Sequence, residues 1–262
     1  MPSTWEVHGY SYPIYTNTTY EFTKNPAPPH VPYDYNPVGT YLTQFVLPET
    51  FLNKKVFIHF GAVKSFFYLW LNGKYLGFSK DSKTPAEFDL TPYLIEGPNT
   101  LAMEVFRWSD GSYLECQDMW RMSGINRDVF LYARPQTYVR DFFAKGNLKD
   151  KYTNGNLEID LLFNKLSADD SKNLKLQINL YDKENTAKPV SSETLALTKA
   201  LGTDSLHYEK FIALPKKWTA ETPYLYILTL TLQDQNGKCI ESLSNRICFR
   251  TSEIKNGLLL VN

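Results

Sequence analysis

The chain has 262 residues, of which 43% are hydrophobic and 15% aromatic, and its formal net charge is zero. That apolar content builds filled cores and excludes a disordered chain. Balanced charge without long Lys/Arg runs, and no stretch near the roughly 20 apolar residues of a membrane span, exclude nucleic acid and membrane as expected partners.

The length suits two domains of ordinary size. At the start, Met1-Pro2-Ser3-Thr4-Trp5 carries no secretory-signal pattern. Tyr10, Tyr12, Tyr15, Tyr33 and Tyr35 then interleave with prolines. They suit an extended arm packed over a sandwich or against a neighbouring subunit, with an open groove as the alternative. Apolar alternation and short apolar runs predict strands at 41–47, 56–60, 66–71, 74–79, 100–107 and 128–133. Asn72-Gly73 predicts a hairpin, because that turn needs positive φ at both central residues. Thr91-Pro92-Tyr93-Leu94 reads as one helical turn with Thr capping and Pro at the first position, ended by Gly97-Pro98. His59 falls on the alternation of its strand and reads as a sheet residue. His8, His30 and His207 lie apart from it, so no metal cluster is expected.

The stretch RWSDGSYLECQDMWRMSGINRD, residues 107–128, breaks this regularity. Asp110, Glu115, Asp118 and Asp128 share it with Arg107, Arg121 and Arg127, while Trp108, Tyr113 and Trp120 offer flat faces of the kind sugars stack on. On pattern alone it is either a salt-bridged loop capping a sandwich or a site. Glu115 and Asp118 tempt as a catalytic pair, but a loop rich in arginine more naturally yields ion pairs. No catalytic residue is assigned in this chain.

Around Arg134-Pro135-Gln136 the texture changes. Strands are predicted at 139–144, 157–163, 174–181, 207–214, 225–232 and 239–250, with polar connections, which suggests a sandwich of immunoglobulin type. The three cysteines, Cys116, Cys239 and Cys248, have no metal-ligand spacing. Cys239 and Cys248 either pair across a hairpin or, as the preferred reading, are small buried residues in strands.

The 107–128 loop resembles a signature of family 2 glycoside hydrolases, and the likeness runs on through NPVGTY (36–41), VFIHFGAVKSFFYLWLNGKYLGFSKDSKTPAEFDLTPYL (56–94), WTAETPYLYILTLTL (218–232) and CFRTSEIKNGLLLVN (248–262). The DGSYLE and QDMWR segments are more similar to the β-galactosidase branch than to β-glucuronidases or β-mannosidases. The resemblance implies an all-β chain: a jelly-roll sugar-binding domain at 1–135, an immunoglobulin-like β-sandwich at 136–252, and the start of a (β/α)₈ barrel at 253–262. It also implies that the chain begins inside the first domain and ends where the family runs into the barrel. Because the family carries both catalytic glutamates on that barrel, this portion alone is expected to be inactive.

By resemblance the asparagine of N-P-x-G and the aspartate of W-S-D-G, here Asn36 and Asp110, contact the galactosyl group, and Asp110 also helps hold sodium. Both residue types are hard acceptors suited to hydroxyls and hard cations. As bare dipeptides, Asn36-Pro37 and Asp110-Gly111 are simply turn formers. Cys116 departs from the acidic residue frequent in the family. Sodium and magnesium, a β-galactoside substrate, the barrel and a homo-oligomeric parent are the implied cofactors and partners. A stand-alone carbohydrate-binding module with an immunoglobulin-like spacer is the alternative.

Overall fold

The computed structural model describes residues 3–15, 19–116 and 120–262. It divides into two compact units, Met1–Arg134 and Pro135–Asn262. The chain is all-β, a jelly-roll sandwich followed by an immunoglobulin-like one, with helix confined to short turns among the described residues.

In the first unit the strands are β1 (Val38–Val46), β2 (Lys55–Phe60), β3 (Val63–Lys64), β4 (Phe66–Leu71), β5 (Lys74–Ser79), β6 (Ala86–Asp89), β7 (Pro98–Phe106), β8 (Gly124–Ile125) and β9 (Val129–Arg134). One sheet runs β1-β7-β4-β5, a second β6-β2-β9, and β3 pairs with β8. The two-residue period puts Ile58 and Phe60 from one sheet against Phe67, Leu69, Leu71, Met103 and Val105 from the other. Asn72 and Gly73 turn β4 into β5 with φ of 52° and 76°, the positive pair that the dipeptide predicts. The 91–94 turn forms as a 3₁₀ helix over Thr91–Tyr93, but Thr91 does not cap it. Its hydroxyl instead accepts the Val56 N–H at the head of β2. His59 sits on β2, bonded to Glu87 at 2.8 Å and stacked on Phe130.

The second unit comprises β10 (Val139–Lys149), β11 (Asn154–Phe163), β12 (Lys175–Asp182), β13 (Ser191–Ala196), β14 (Ser205–Ile212), β15 (Tyr226–Gln233) and β16 (Cys239–Ile247). They form a three-stranded sheet, β10-β11-β14, and a four-stranded sheet, β13-β12-β15-β16. The core between them takes Leu157, Ile159 and Leu161 from β11, Leu176, Ile178 and Leu180 from β12, and Leu228, Leu230 and Leu232 from β15. A short helix at Ala168–Asn173 starts with a capping box in which Ser167 and Asp170 satisfy each other's backbone N–H groups. Residues 252–261 form an antiparallel hairpin, β17 (Ser252–Lys255) with β18 (Leu258–Val261), and β18 is exposed throughout.

Two expectations are corrected here. All three cysteines are free thiols, and Cys239 is exposed, because it opens β16 at the edge of its sheet. The arm tyrosines do not pack over the sandwich: Tyr10, Tyr12, Tyr15, Tyr33 and Tyr35 are all exposed, Tyr33 almost completely, which leaves their faces open to a groove or a neighbouring subunit. What anchors the arm is its acidic and apolar residues, described below.

One pH effect belongs to the second unit. The Tyr224 hydroxyl bonds the Asp182 carboxylate, with Glu184 N–H and Lys216 adding to it, and holds Asp182 down at about 2 from its usual 3.8. A depressed carboxylate stabilises the fold above its unfolded pKa and loses that contribution as pH falls through the folded one. Between pH 3.8 and about 2, therefore, Asp182→Asn should melt with less pH dependence than the parent, as a pH series of thermal melts would show.

Candidate functional site

The site begins where β1 and β7 stop pairing. Val38 faces Phe106 in the ladder, and Arg107 N–H still bonds the Pro37 carbonyl at 2.9 Å. One step further the same register would pair Asn36 with Trp108. There the Asn36 side chain takes over: its Nδ2 donates to the Trp108 carbonyl at 3.0 Å and its Oδ1 accepts the Trp108 N–H at 2.9 Å. An amide carries both a donor and an acceptor, so one side chain completes the rung. Replacing it by alanine would leave both Trp108 backbone groups without these bonds. Asn36→Ala is expected to cost about 1–3 kcal/mol of stability by thermal melting. An unchanged melting temperature would show that the clamp is dispensable.

The next residues are shaped by buried hydroxyls. Ser65 Oγ lies 2.6 Å from Ser109 Oγ and 3.2 Å from Ser112 Oγ, and Ser109 N–H donates to Ser112 Oγ at 3.0 Å. These bonds satisfy the tight turn that leads into a one-turn helix, α1 (Ser112–Glu115). Asp110 therefore sits at an exposed corner with its carboxylate fixed at both oxygens. Oδ1 accepts the Gly111 N–H at 2.9 Å and Oδ2 accepts Lys80 Nζ at 2.6 Å. The Lys80 hydrogen bond, helped by that of Gly111, holds Asp110 below the ordinary carboxylate range, so it is ionised at neutral pH. Asp110 and Lys80 are 41% and 47% exposed, so the pair is open to exchange with a ligand.

Both buried arginines of the loop are paired. Arg107 is fully buried against Glu6, and Arg121 is buried against Glu21. The arm thus supplies the carboxylates that the arginine-rich loop needs. Glu115 accepts Ser82 N–H at 2.8 Å and also the Ser82 hydroxyl, and Asp118 lies outside the described residues. Trp108 is 3% exposed beneath Arg107 and Phe22, which corrects its reading as a face for a sugar. Tyr113 is also committed, its hydroxyl donating to the His30 carbonyl at 2.6 Å. Of the three aromatic faces Trp120 alone is exposed, with Tyr15 tilted against it at 5.4 Å. Cys116 points at Glu21, and burial, with the Glu21 charge beside it, pushes its thiol up to about 11. Lys64, which no sequence pattern singles out, is buried nearby; burial and the Lys83 charge lower its ammonium below the usual range.

The described residues hold no group of three or more His, Cys, Asp or Glu able to share a metal ion. A cation at Asp110 would have to displace the Lys80 ammonium, since both carboxylate oxygens are engaged.

Known proteins share both units of this fold. The family profile described as "Glycosyl hydrolases family 2, sugar binding domain" matches residues 1–135, and "Glycosyl hydrolases family 2" matches residues 137–250. A β-galactosidase of Priestia megaterium is 43% identical over 264 residues, covering 100% of this chain and 25% of that protein. One of Pseudoalteromonas haloplanktis is 41% identical over 266 residues with the same coverage. The chain thus spans about a quarter of the length of the curated relatives it matches. Among solved structures, a Bifidobacterium dentium β-glucuronidase complexed with coumarin-3-O-glucuronide superposes with a TM-score of 0.69 at 20% identity, over 85% of this chain and 41% of that one. A β-glycosidase from Bacteroides vulgatus gives 0.68 at 24% identity, over 86% and 27%. These two likenesses show the fold alone. Matched by the family's profiles along both units, the chain belongs to glycoside hydrolase family 2.

Proposed function

We propose that this chain is the amino-terminal, non-catalytic part of a β-galactosidase that removes terminal β-D-galactosyl residues with retention, and that its first unit supplies one wall of the galactose site. The observation that carries this reading is identity above 40% with β-galactosidases along the whole chain, when the chain makes up a quarter of them. Retention needs two carboxyl groups about 5–5.5 Å apart. Glu115 is bound to Ser82, so the pair is assigned to the barrel that the family carries elsewhere. The chain alone should not turn over a nitrophenyl β-galactoside.

Within the proposed site Asp110 is the residue that meets the sugar. It is ionised, exposed and held at a loop corner, and a galactosyl hydroxyl can replace the Lys80 ammonium at Oδ2. Asn36 is foremost a positioning residue, since its bonds to Trp108 set where Asp110 starts. Neither sodium nor magnesium enters any step derived from these residues.

The test is Asp110→Ala in the complete enzyme. Losing hydrogen bonds to a charged group costs about 1.5–3 kcal/mol, so kcat/KM for a β-galactoside should fall at least tenfold. The melting temperature should hold, because the side chain is exposed. Parent kinetics combined with earlier melting would reduce Asp110 to a turn residue. Calorimetric titration of the isolated chain with lactose addresses the binding-module alternative, which a Kd tighter than about a millimolar would favour.

A further inference from the structure

Around β4 and β5 the outer face of the β1-β7-β4-β5 sheet is apolar where a solvated antiparallel sheet is ordinarily polar. Strand β4, FFYLWL, sends Phe67, Leu69 and Leu71 into the core and Phe66, Tyr68 and Trp70 outward. The register sets Phe106 beside Phe66 and Phe78 beside Tyr68. By contrast, the outward positions of β11 and β14 in the second unit carry Glu158, Asp160, His207 and Glu209, with Phe211 as a single exposed apolar ring. Phe78 is 54% exposed, and Leu42, across Ala102 from Trp70, is 72% exposed.

These rings already pack on one another. Phe66 meets Phe106 at 5.7 Å and 66°, and Tyr68 meets Phe106 at 5.8 Å and 86° and Phe78 at 6.5 Å and 70°. Rings standing edge to face build an uneven apolar surface suited to side chains, rather than the flat platform a sugar ring lies on. Among the outward positions of β7 the charged residue is Glu104, which lies in register between Thr40 and Tyr68. Contiguous apolar patches of this kind mark interfaces.

We infer that this face docks the polypeptide that family 2 β-galactosidases carry outside the quarter matched by this chain, and that the partner meets it with aliphatic side chains around a hydrogen-bond donor opposite Glu104. The inference rests on the reading of the chain as part of a β-galactosidase. The identity of the occupant follows from length, since three quarters of each matched relative lies beyond the match, and from charge. A second copy of this chain, docked about a two-fold axis through Glu104, would set that carboxylate against its own copy, a like-charge contact.

The test compares the isolated chain with the complete polypeptide. Hydrogen exchange of the unsubstituted proteins should show β4 and β5 amides at least tenfold better protected in the complete polypeptide. The double substitution Leu42→Lys with Phe78→Lys should move the melting temperature of the isolated chain by no more than about 2 °C, since both side chains point outward and are more than half exposed. In the complete polypeptide it should lower melting by about 5 °C or more and erase the extra protection. Equal protection in both proteins would overturn the inference. So would a dimer of the isolated chain, seen by light scattering, that the double substitution breaks while the complete polypeptide is indifferent. A complete polypeptide that protects β4 and β5 yet hydrolyses no β-galactoside would refute the activity and leave the docking face standing.

Discussion

Arg107→Met should destabilise the first unit by about 3–5 kcal/mol, the range found when one partner of a buried ion pair is removed and the other stays behind. The Arg107 and Glu6 side chains are both 0% exposed, with Nη1 and Oε1 3.4 Å apart. The guanidinium also ties three segments together: Nη1 donates to Ser11 Oγ at 2.7 Å, and Nη2 donates to the carbonyls of Tyr12 and Arg121. Glu6 in turn accepts Ser123 N–H at 2.9 Å and 3.0 Å. Methionine fills much of the volume but leaves that carboxylate without a cation. The transition of the first unit in scanning calorimetry should fall by on the order of 10 °C. Adding Glu6→Gln should recover part of the loss, because the uncompensated charge is then gone. A single variant melting like the parent would show that water or a neighbour replaces Arg107 without cost.

In the second unit the largest effect is expected at Phe249, and Phe249→Ala should cost about 3–5 kcal/mol, the sum of lost burial and a cavity. The ring is 0% exposed and meets Tyr226 edge-on at 5.3 Å. It lies against Gly155, where an added Cβ would come within 2.7 Å of the ring. A side chain that dictates glycine at its neighbour leaves little room for collapse into the vacated space. Calorimetry should show the transition of the second unit falling by roughly 10 °C. A small shift would mean that Tyr226 and its neighbours move in to refill the site.

Strands were legible in the sequence where one side of the alternation is apolar, as in β2, β4, β11, β12 and β15. Strand β13, SSETLA, was not, because its alternation is mostly between polar residues; nor was β6, which is only four residues long. The 107–128 loop announced itself by crowding charge and aromatics, and its arginines predicted ion pairs. Their partners did not show, since Glu6 and Glu21 lie about a hundred residues upstream and reach the loop only because the arm folds back across it. Lys80 was equally invisible as the companion of Asp110, for nothing local in GFSKDS points thirty residues ahead. Trp108 was misread because an aromatic beside a polar turn looks the same in sequence whether it lies under the loop or on it.

The side-chain rung at Asn36 has a consequence for natural variation. Glutamine is one methylene too long for the rung, aspartate lacks the donor, and serine cannot span both Trp108 groups. Pro37, having no N–H, does not offer its backbone as a substitute donor. Selection on folding alone would therefore hold asparagine at this position even in a descendant that had stopped handling galactose. At Asp110, whose contacts are on the surface, drift would follow loss of the sugar. A family member that has changed its substrate should vary at the aspartate first and keep the asparagine.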